Sequence, residues 1–357
     1  MRIIILLLVL LPLLSKSQDT VHLKGNGTDE TVTLQSAINK SSNLVILSGN
    51  YNIGKINLHS NLTIHGIGAK LHMIQGSYDN IMISLWQISN VRITGLEIAL
   101  NGIQGNIWDG TSAIEMYGCS NIQIDSCYIH DNTYVAIRLT GNNNNIIILH
   151  NNIQNTDTGI HCNNKNTNVT IRYNYIQGGT SEGVTVYGYN NTSEPYLFTI
   201  DSNIITNKSS SFGINIPFAK QLIIAYNTIT SCLGGIMLHD SVSTGTDTIY
   251  SSSIIVNSNL LSNNIYGIIN ISDSSTISNN IIQNTKWDGI QGGYVNHISN
   301  FVKIINNTIT NVAYIGGGTA AINLQNITNC TVLNNIIKTS VFIRTINTPN
   351  IIVQNNL

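Results

Sequence analysis

The phrase Ile-x-x-Asn-x-Ile recurs along this chain, and its spacing constrains the fold more than any other feature. Copies stand at Ile148–Ile153, Ile171–Ile176, Ile200–Ile205, Ile224–Ile229, Val256–Leu261, Ile277–Ile282, Ile304–Ile309 and Val332–Ile337. Read at the asparagine, they fall at 151, 174, 203, 227, 259, 280, 307 and 335, with a last partial copy read at Asn355, spacings of 20 to 32 residues. Cys127, Leu96 and Ile67 take the asparagine's place in degenerate upstream copies. A repeat this short cannot enclose a core alone, but stacked repeats can share one. The expected fold is therefore an all-β solenoid of about 11–12 coils.

Residues 168–187 show how one coil is built. Val169-Thr170-Ile171 reads as a strand, Asn174 as a corner, Tyr175-Ile176-Gln177 as a second strand and Gly183–Tyr187 as a third. Alternation places one residue in two inward, where Ile and Val stack on their equivalents about 4.8 Å away. An inward asparagine at each corner satisfies backbone groups of its turn, and successive copies form a ladder. The open end of such a stack needs covering. Glu30–Lys40, with Val32, Leu34, Ala37 and Ile38 among helix formers, reads as an amphipathic cap over the first coil. At the other end the sequence offers no such cap, so a second subunit through that C-terminal end, a further segment, or fraying are the alternatives.

Residues 1–17 read as a secretory signal peptide: Arg2, the apolar run Ile3–Leu14, then Ser15-Lys16-Ser17. About a dozen apolar residues are too few to span a bilayer. The expected organisation is a signal at 1–17, a cap and first strand at 18–50, and repeats over 51–357, in a secreted, periplasmic or cell-surface protein. Charged residues make up 9% of the chain with a net charge of −1, so a basic nucleic-acid footprint is missing. The five cysteines are sparse and odd in number, which suits buried thiols better than a disulfide framework.

The opening Gly25-Asn-Gly-Thr-Asp-Glu-Thr31, followed by Leu34-Gln-Ser-Ala-Ile38, Gly49-Asn-Tyr51 and Leu62-Thr-Ile-His-Gly-Ile-Gly68, resembles the start of the pectate-lyase-like superfamily of right-handed parallel β-helices. Its short Asn-centred repeats are also similar to those of copper-pathway periplasmic proteins and polyuronate epimerases. The resemblance covers about residues 21–357 and implies a single-stranded right-handed parallel β-helix with an N-terminal capping helix. That fold hosts lyases, hydrolases, epimerases and non-catalytic surface proteins, so function must be argued from the site. The paired-aspartate signature of polygalacturonases and the Asp-Pro-His motif of mannuronan epimerases are both absent from the sequence.

In that superfamily the substrate groove follows the strand after the long loop, which directs attention to the third strand of each coil. Alternation turns Ser84, Glu115, Arg138, His161, Thr185, Asn215 and Met237 toward solvent on successive coils. Glu115, Arg138 and His161 are the catalytic candidates: Arg138 to pair with a sugar carboxylate, His161 as a base whose ordinary pKa is near neutrality. Trp86, Trp108, Tyr117 and Tyr187 offer flat apolar surfaces for sugar faces, with Asn163 and His239 as polar neighbours. Asp109, Asp131, Asp157 and Glu182 lie on the loops entering these strands. Asp131, Asp157 and Glu182 are candidate calcium ligands, calcium being the one cofactor the sequence suggests; paired carboxylates would also serve a glycosidase. Trp108-Asp-Gly110 recurs as Trp287-Asp-Gly289, which reads as a turn motif of the repeat.

The reaction this set best suits is proton abstraction alpha to a uronate carboxylate, as in a polysaccharide lyase or C5-epimerase. The alternative is a non-catalytic carbohydrate-binding or surface-structural β-helix. A glycoside hydrolase using the loop carboxylates is third. The partner in every case is a polysaccharide.

Overall fold

The computed structural model describes residues 20–74, 80–101, 111–188, 195–239, 251–293, 299–313 and 319–357, without the side chains of 132 and 133. The expected signal at 1–17 lies outside them. The described chain is an all-β, right-handed parallel β-helix with one helix, α1 (Thr31–Lys40). Parallel strands from successive coils pair in register, and three sheets result, as the alternation requires.

The coil read at 168–187 has strands Thr167–Arg172, Tyr175–Gln177 and Val184–Tyr187. Each pairs with its equivalent on both neighbouring coils; Ile171, for example, aligns with Ile148 on one side and Ile200 on the other. Inward isoleucines along the three sheets are fully buried and form one continuous core. The edges of each strand are consumed by its neighbours, so backbone groups are paired between coils and not within them.

At the corner between the first two strands, the ladder forms as expected. Asn174 donates from its backbone N and from Nδ2 to Asn203 Oδ1, both at 3.0 Å, and from Nδ2 to Ile148 O at 3.0 Å. The same pattern runs unbroken from Asn151 to Asn335. Cys127 N joins it by donating to Asn151 Oδ1. Two upstream and downstream assignments need correction. The last rung is Asn356, whose Oδ1 accepts from Asn335 N and Nδ2, while Asn355 holds the left-handed position before it. Upstream, Lys70 aligns with Glu97, which places buried Ala69 opposite Leu96; Ile67 sits in a two-residue excess and is exposed.

The residue before each rung adopts positive φ, as at Ser126, His150, Tyr173 and Ser202. Asparagine and histidine adopt this conformation more readily than most residues, and a bulky tyrosine less so. Tyr173 is compensated by its neighbours: His150 stacks on its ring at 5.1 Å, and the Arg172 guanidinium lies over it at 4.7 Å.

A column of glycines closes the third side of the coil. A Cβ on Gly267 would meet Gly289 O at 2.1 Å and Ile282 Cγ2 at 2.8 Å, and Gly159, Gly183, Gly235 and Gly289 are similarly confined. Buried Ala113 and Ala136 on the N-terminal coils and Ala321 near the other end take the glycine's place in this column. At the N-terminal end, α1 buries Leu34, Ala37 and Ile38. Val32 is not part of that face; it is 83% exposed. The helix is the expected N-terminal cap, and the strand Thr20–Asp29 that precedes it in the chain pairs with Leu44–Ile53. All five cysteines are buried and unbridged. Among the described residues, no helix is long and apolar enough to cross a membrane.

Candidate functional site

The third sheet aligns the residues singled out by alternation. Glu115 pairs in register with Ser84 and with Arg138; Arg138 pairs with His161, and His161 with Thr185. Carboxyl, guanidinium and imidazole thus stand on three successive coils, side chains on one face, because the inward partners Ile114/Met116, Ile137/Leu139 and Ile160/Cys162 fix the pleat.

This row is less open than a solvated surface would be. Arg138 is only 6% exposed, and Ser84 and Thr185 are also buried. Burial sets the charges. Desolvation, with a smaller contribution from the Arg138 charge, lowers the His161 pKa to about 4, so the imidazole is neutral at physiological pH. A near-neutral titration of His161, expected from the residue type, is therefore corrected by its surroundings. Desolvation raises Glu115 above the usual carboxylate value, against the opposing pull of Arg138 and hydrogen bonds from Thr140 and Ser112. Those bonds are long, 3.3 Å from Thr140 Oγ1 to Oε1 and 3.3 Å from Ser112 Oγ to Oε2.

One step along the same strands, Trp86 and Tyr117 are in register and their rings stack, with centroids 4.4 Å apart and planes at 16°. Trp86 remains 62% exposed. Tyr117, Thr140, Asn163 and Tyr187 continue this second row in register. His239 does not join the cluster: it follows the strand Gly234–Leu238, four coils beyond Arg138, or about 19 Å. Trp108 and Asp109 lie outside the described residues.

The loop carboxylates do not converge. Asp131 is exposed and bound to His130 Nδ1 at 2.9 Å and Asn155 Nδ2 at 3.2 Å. Asp157 accepts from Thr180 Oγ1 at 3.0 Å, and Glu182 from Asn215 Nδ2 at 3.3 Å. Each carboxylate braces the next coil. Among the described residues, no group of three or more His, Cys, Asp or Glu is placed to hold a metal ion, so Asp131, Asp157 and Glu182 do not form the calcium site expected of them.

Two groupings escaped sequence reasoning. On the second sheet, His130 contacts both Glu97 at 3.4 Å and Asp131, with Tyr128 stacked on its ring at 4.3 Å. At the corner between the second and third strands, Lys208 is fully buried and donates to Thr156 O at 2.9 Å and Asp157 O at 3.0 Å. Nothing in the local sequence Thr206-Asn-Lys-Ser marks that lysine as inward.

The family described as the right-handed beta helix region matches residues 15–197. Among solved structures, the chain is similar to the surface protein and adhesin PfbA of Streptococcus pneumoniae, with TM-score 0.73 and 14% identity over 91% of this chain and 100% of that one. It is also similar to the A-module of the Azotobacter vinelandii mannuronan C-5 epimerase AlgE4 (TM-score 0.64, 13% identity, 94% and 97% covered). A third is the catalytic unit of an α-1,3-glucanase from Streptomyces thermodiastaticus (TM-score 0.71, 16% identity, 92% and 68% covered). At such identities the likeness speaks for the fold alone.

Proposed function

The chain belongs to the right-handed β-helix family, and on that premise we propose that it is an extracellular polysaccharide-binding protein whose third sheet carries the sugar. The observation that supports this most is the Trp86–Tyr117 stack beside the Glu115–Arg138–His161 row. An exposed, rigid indole backed by a second ring presents a flat apolar surface to the axial hydrogens of a pyranose. Adjacent guanidinium, imidazole and carboxyl groups supply the directed hydrogen bonds that such a ring needs. Two of the solved structures of similar fold, the mannuronan C-5 epimerase and the α-1,3-glucanase, are named for polysaccharides, and a third is a surface adhesin. Binding is preferred over catalysis because the loop carboxylates are spread among separate partners and because a His pKa of about 4 makes a weak base.

A second reading, uronate lyase or C5-epimerase, draws on one specific feature. His161 is neutral and so able to accept a proton, and it stands beside a guanidinium suited to a carboxylate.

One experiment separates the two. The purified protein is mixed in deuterated buffer with oligomannuronate, oligogalacturonate and an α-1,3-glucan oligosaccharide and followed by proton NMR with saturation transfer. Saturation transfer with an unchanged sugar spectrum supports binding. An olefinic proton or loss of the H5 signal, abolished by Arg138→Ala and His161→Ala, would replace it with the second reading. No transfer to any glycan would sink both.

A further inference from the structure

The first sheet of the solenoid, to which Thr167–Arg172 belongs, turns a column of β-branched residues outward. In-register pairing places Ile147, Thr170, Thr199, Ile223, Ile255 and Thr276 at one position on successive coils, with no charge among them. Ile223 and Ile255 are exposed, and Ile147 is half-buried. On the corner beside this column Tyr173 and Tyr226 are exposed, Tyr226 by 65%. A soluble chain seldom leaves so long an apolar patch open unless it is an interaction surface.

Two residues along the same strands, Leu149, Arg172, Asp201 and Ala225 form a second outward column. Its two charges are neighbours of opposite sign, with Arg172 Nε 3.3 Å from Asp201 Oδ1. The face is also large. From Arg92 to Thr276 it runs over eight coils, about 38 Å, and its longer strands extend about 20 Å. The plane so defined is about 770 Å² on one copy, and about 1,500 Å² if two copies meet on it, within the range of stable specific interfaces.

We propose that this face joins two copies of the chain, first sheet against first sheet, with their solenoid axes antiparallel. A two-fold axis along the strands, midway between the coils of Thr170 and Thr199, generates the pair. Rotation about it keeps each column over itself and reverses the order of coils. Ile147 then faces the partner's Ile223, and Leu149 the partner's Ala225. Arg172 faces the partner's Asp201, and Asp201 the partner's Arg172, so two ion pairs combine into a neutral ring of alternating charge. Tyr226 meets the partner's His150, whose ring stacks on Tyr173. Moving the axis by half a coil would set Asp201 against Asp201 or Arg172 against Arg172, which like-charge repulsion forbids. A second copy is the occupant because this face is complementary to itself in both its apolar and its charged columns. The third sheet takes no part, so the inference is independent of the polysaccharide reading.

Sedimentation equilibrium of the purified protein at micromolar concentration tests it, the expected mass being twice that of one chain. Ile223→Lys should weaken self-association about a hundredfold, because each copy would bury an unpaired charge against the partner's Ile147. Its circular dichroism spectrum should be unchanged, since the position is exposed within one chain. Register is read with a bismaleimide of about 10 Å reach, matched to the spacing of packed sheets. The native cysteines are all buried, so labelling is confined to introduced ones. Gln123→Cys and Ile255→Cys chains, mixed, should cross-link to each other and neither to itself. A monomeric wild type, a dimer unaffected by Ile223→Lys, or self-cross-linking of Gln123→Cys would overturn the proposal. A monomer whose glycan binding falls in Ile223→Lys would assign the face to the polysaccharide instead.

Discussion

Arg138 and His161 occupy facing positions on adjacent coils, and the buried guanidinium reinforces what desolvation alone does to the imidazole. The neutral histidine carries a measurable signature. In the unfolded chain it titrates near 6.5, in the folded one near 4. Between these values the unfolded state binds more protons, so stability is lost as pH falls from 6.5 toward 4, by at most about 3 kcal/mol. Glu115, raised in the folded state, acts in the opposite sense and costs stability as pH rises past its unfolded value. His161→Gln should flatten the acid limb of a stability–pH curve from urea melts, and Glu115→Gln should lift the limb above it. An unchanged acid limb in His161→Gln would refute the assignment.

Lys208 gives a second pH signature at the alkaline end. Burial holds its pKa down to about 8, against 10.5 when unfolded. Stability should therefore rise with pH between about 8 and 10.5, by no more than about 3 kcal/mol. Lys208→Met should abolish that rise. Its stability at neutral pH reflects two opposing changes, removal of a buried charge and loss of the bonds to Thr156 O and Asp157 O.

The asparagine ladder predicts position-dependent losses. Asn227→Ala would leave Ile200 O and the Asn203 side chain and backbone N without their partners inside the core. The expected cost is about 3 kcal/mol, the sum of more than one buried unmet group. Asn356→Ala, at a part-buried rung, should cost less than half as much. Equal losses at the two sites in denaturant titrations would argue against the ladder as a source of stability.

Gly267→Ala tests the closure of the coil. Its Cβ would approach backbone atoms of Gly289 as well as Ile282, and the backbone cannot move without disturbing the sheet register. A destabilisation of about 2–3 kcal/mol is expected from overpacking. The same methyl is already present at buried Ala113, Ala136 and Ala321 in this column. A neutral Gly267→Ala would show that the coil has slack at this position.

Trp86→Ala should lower affinity for a bound glycan about tenfold, the loss expected for one aromatic stacking surface. Because Trp86 is largely exposed, folding stability should change little. Calorimetric titration beside a thermal melt checks both. A large melting shift with unchanged affinity would make the indole structural.

The architecture was legible because the repeat carries it twice, once in alternation and once in the corner asparagines. Inward pairs such as Ile137/Leu139 are buried as their spacing requires. Register failed where the phrase loses one of its flanking residues. At Asn355-Asn356 no closing isoleucine follows, and nothing local says which asparagine turns inward. Around Ile67, two extra residues between Thr63 and Met73 shift the count. The site was legible as an alignment but not as an environment. Sequence places Arg138 outward, yet whether an outward residue is wet depends on neighbouring coils and loops, and so does the pKa of His161.

The coil rise has a final implication for how such a molecule changes over evolutionary time. Each coil adds one step of about 4.8 Å, comparable to the length of one monosaccharide in an extended polymer. Duplicating or deleting a single coil between Thr185 and Ile269 would leave every pleat, rung and core contact type intact. It would also translate everything beyond it by one graduation. The solenoid is thus a ruler whose length can be reset in whole units, without redesigning either of its ends.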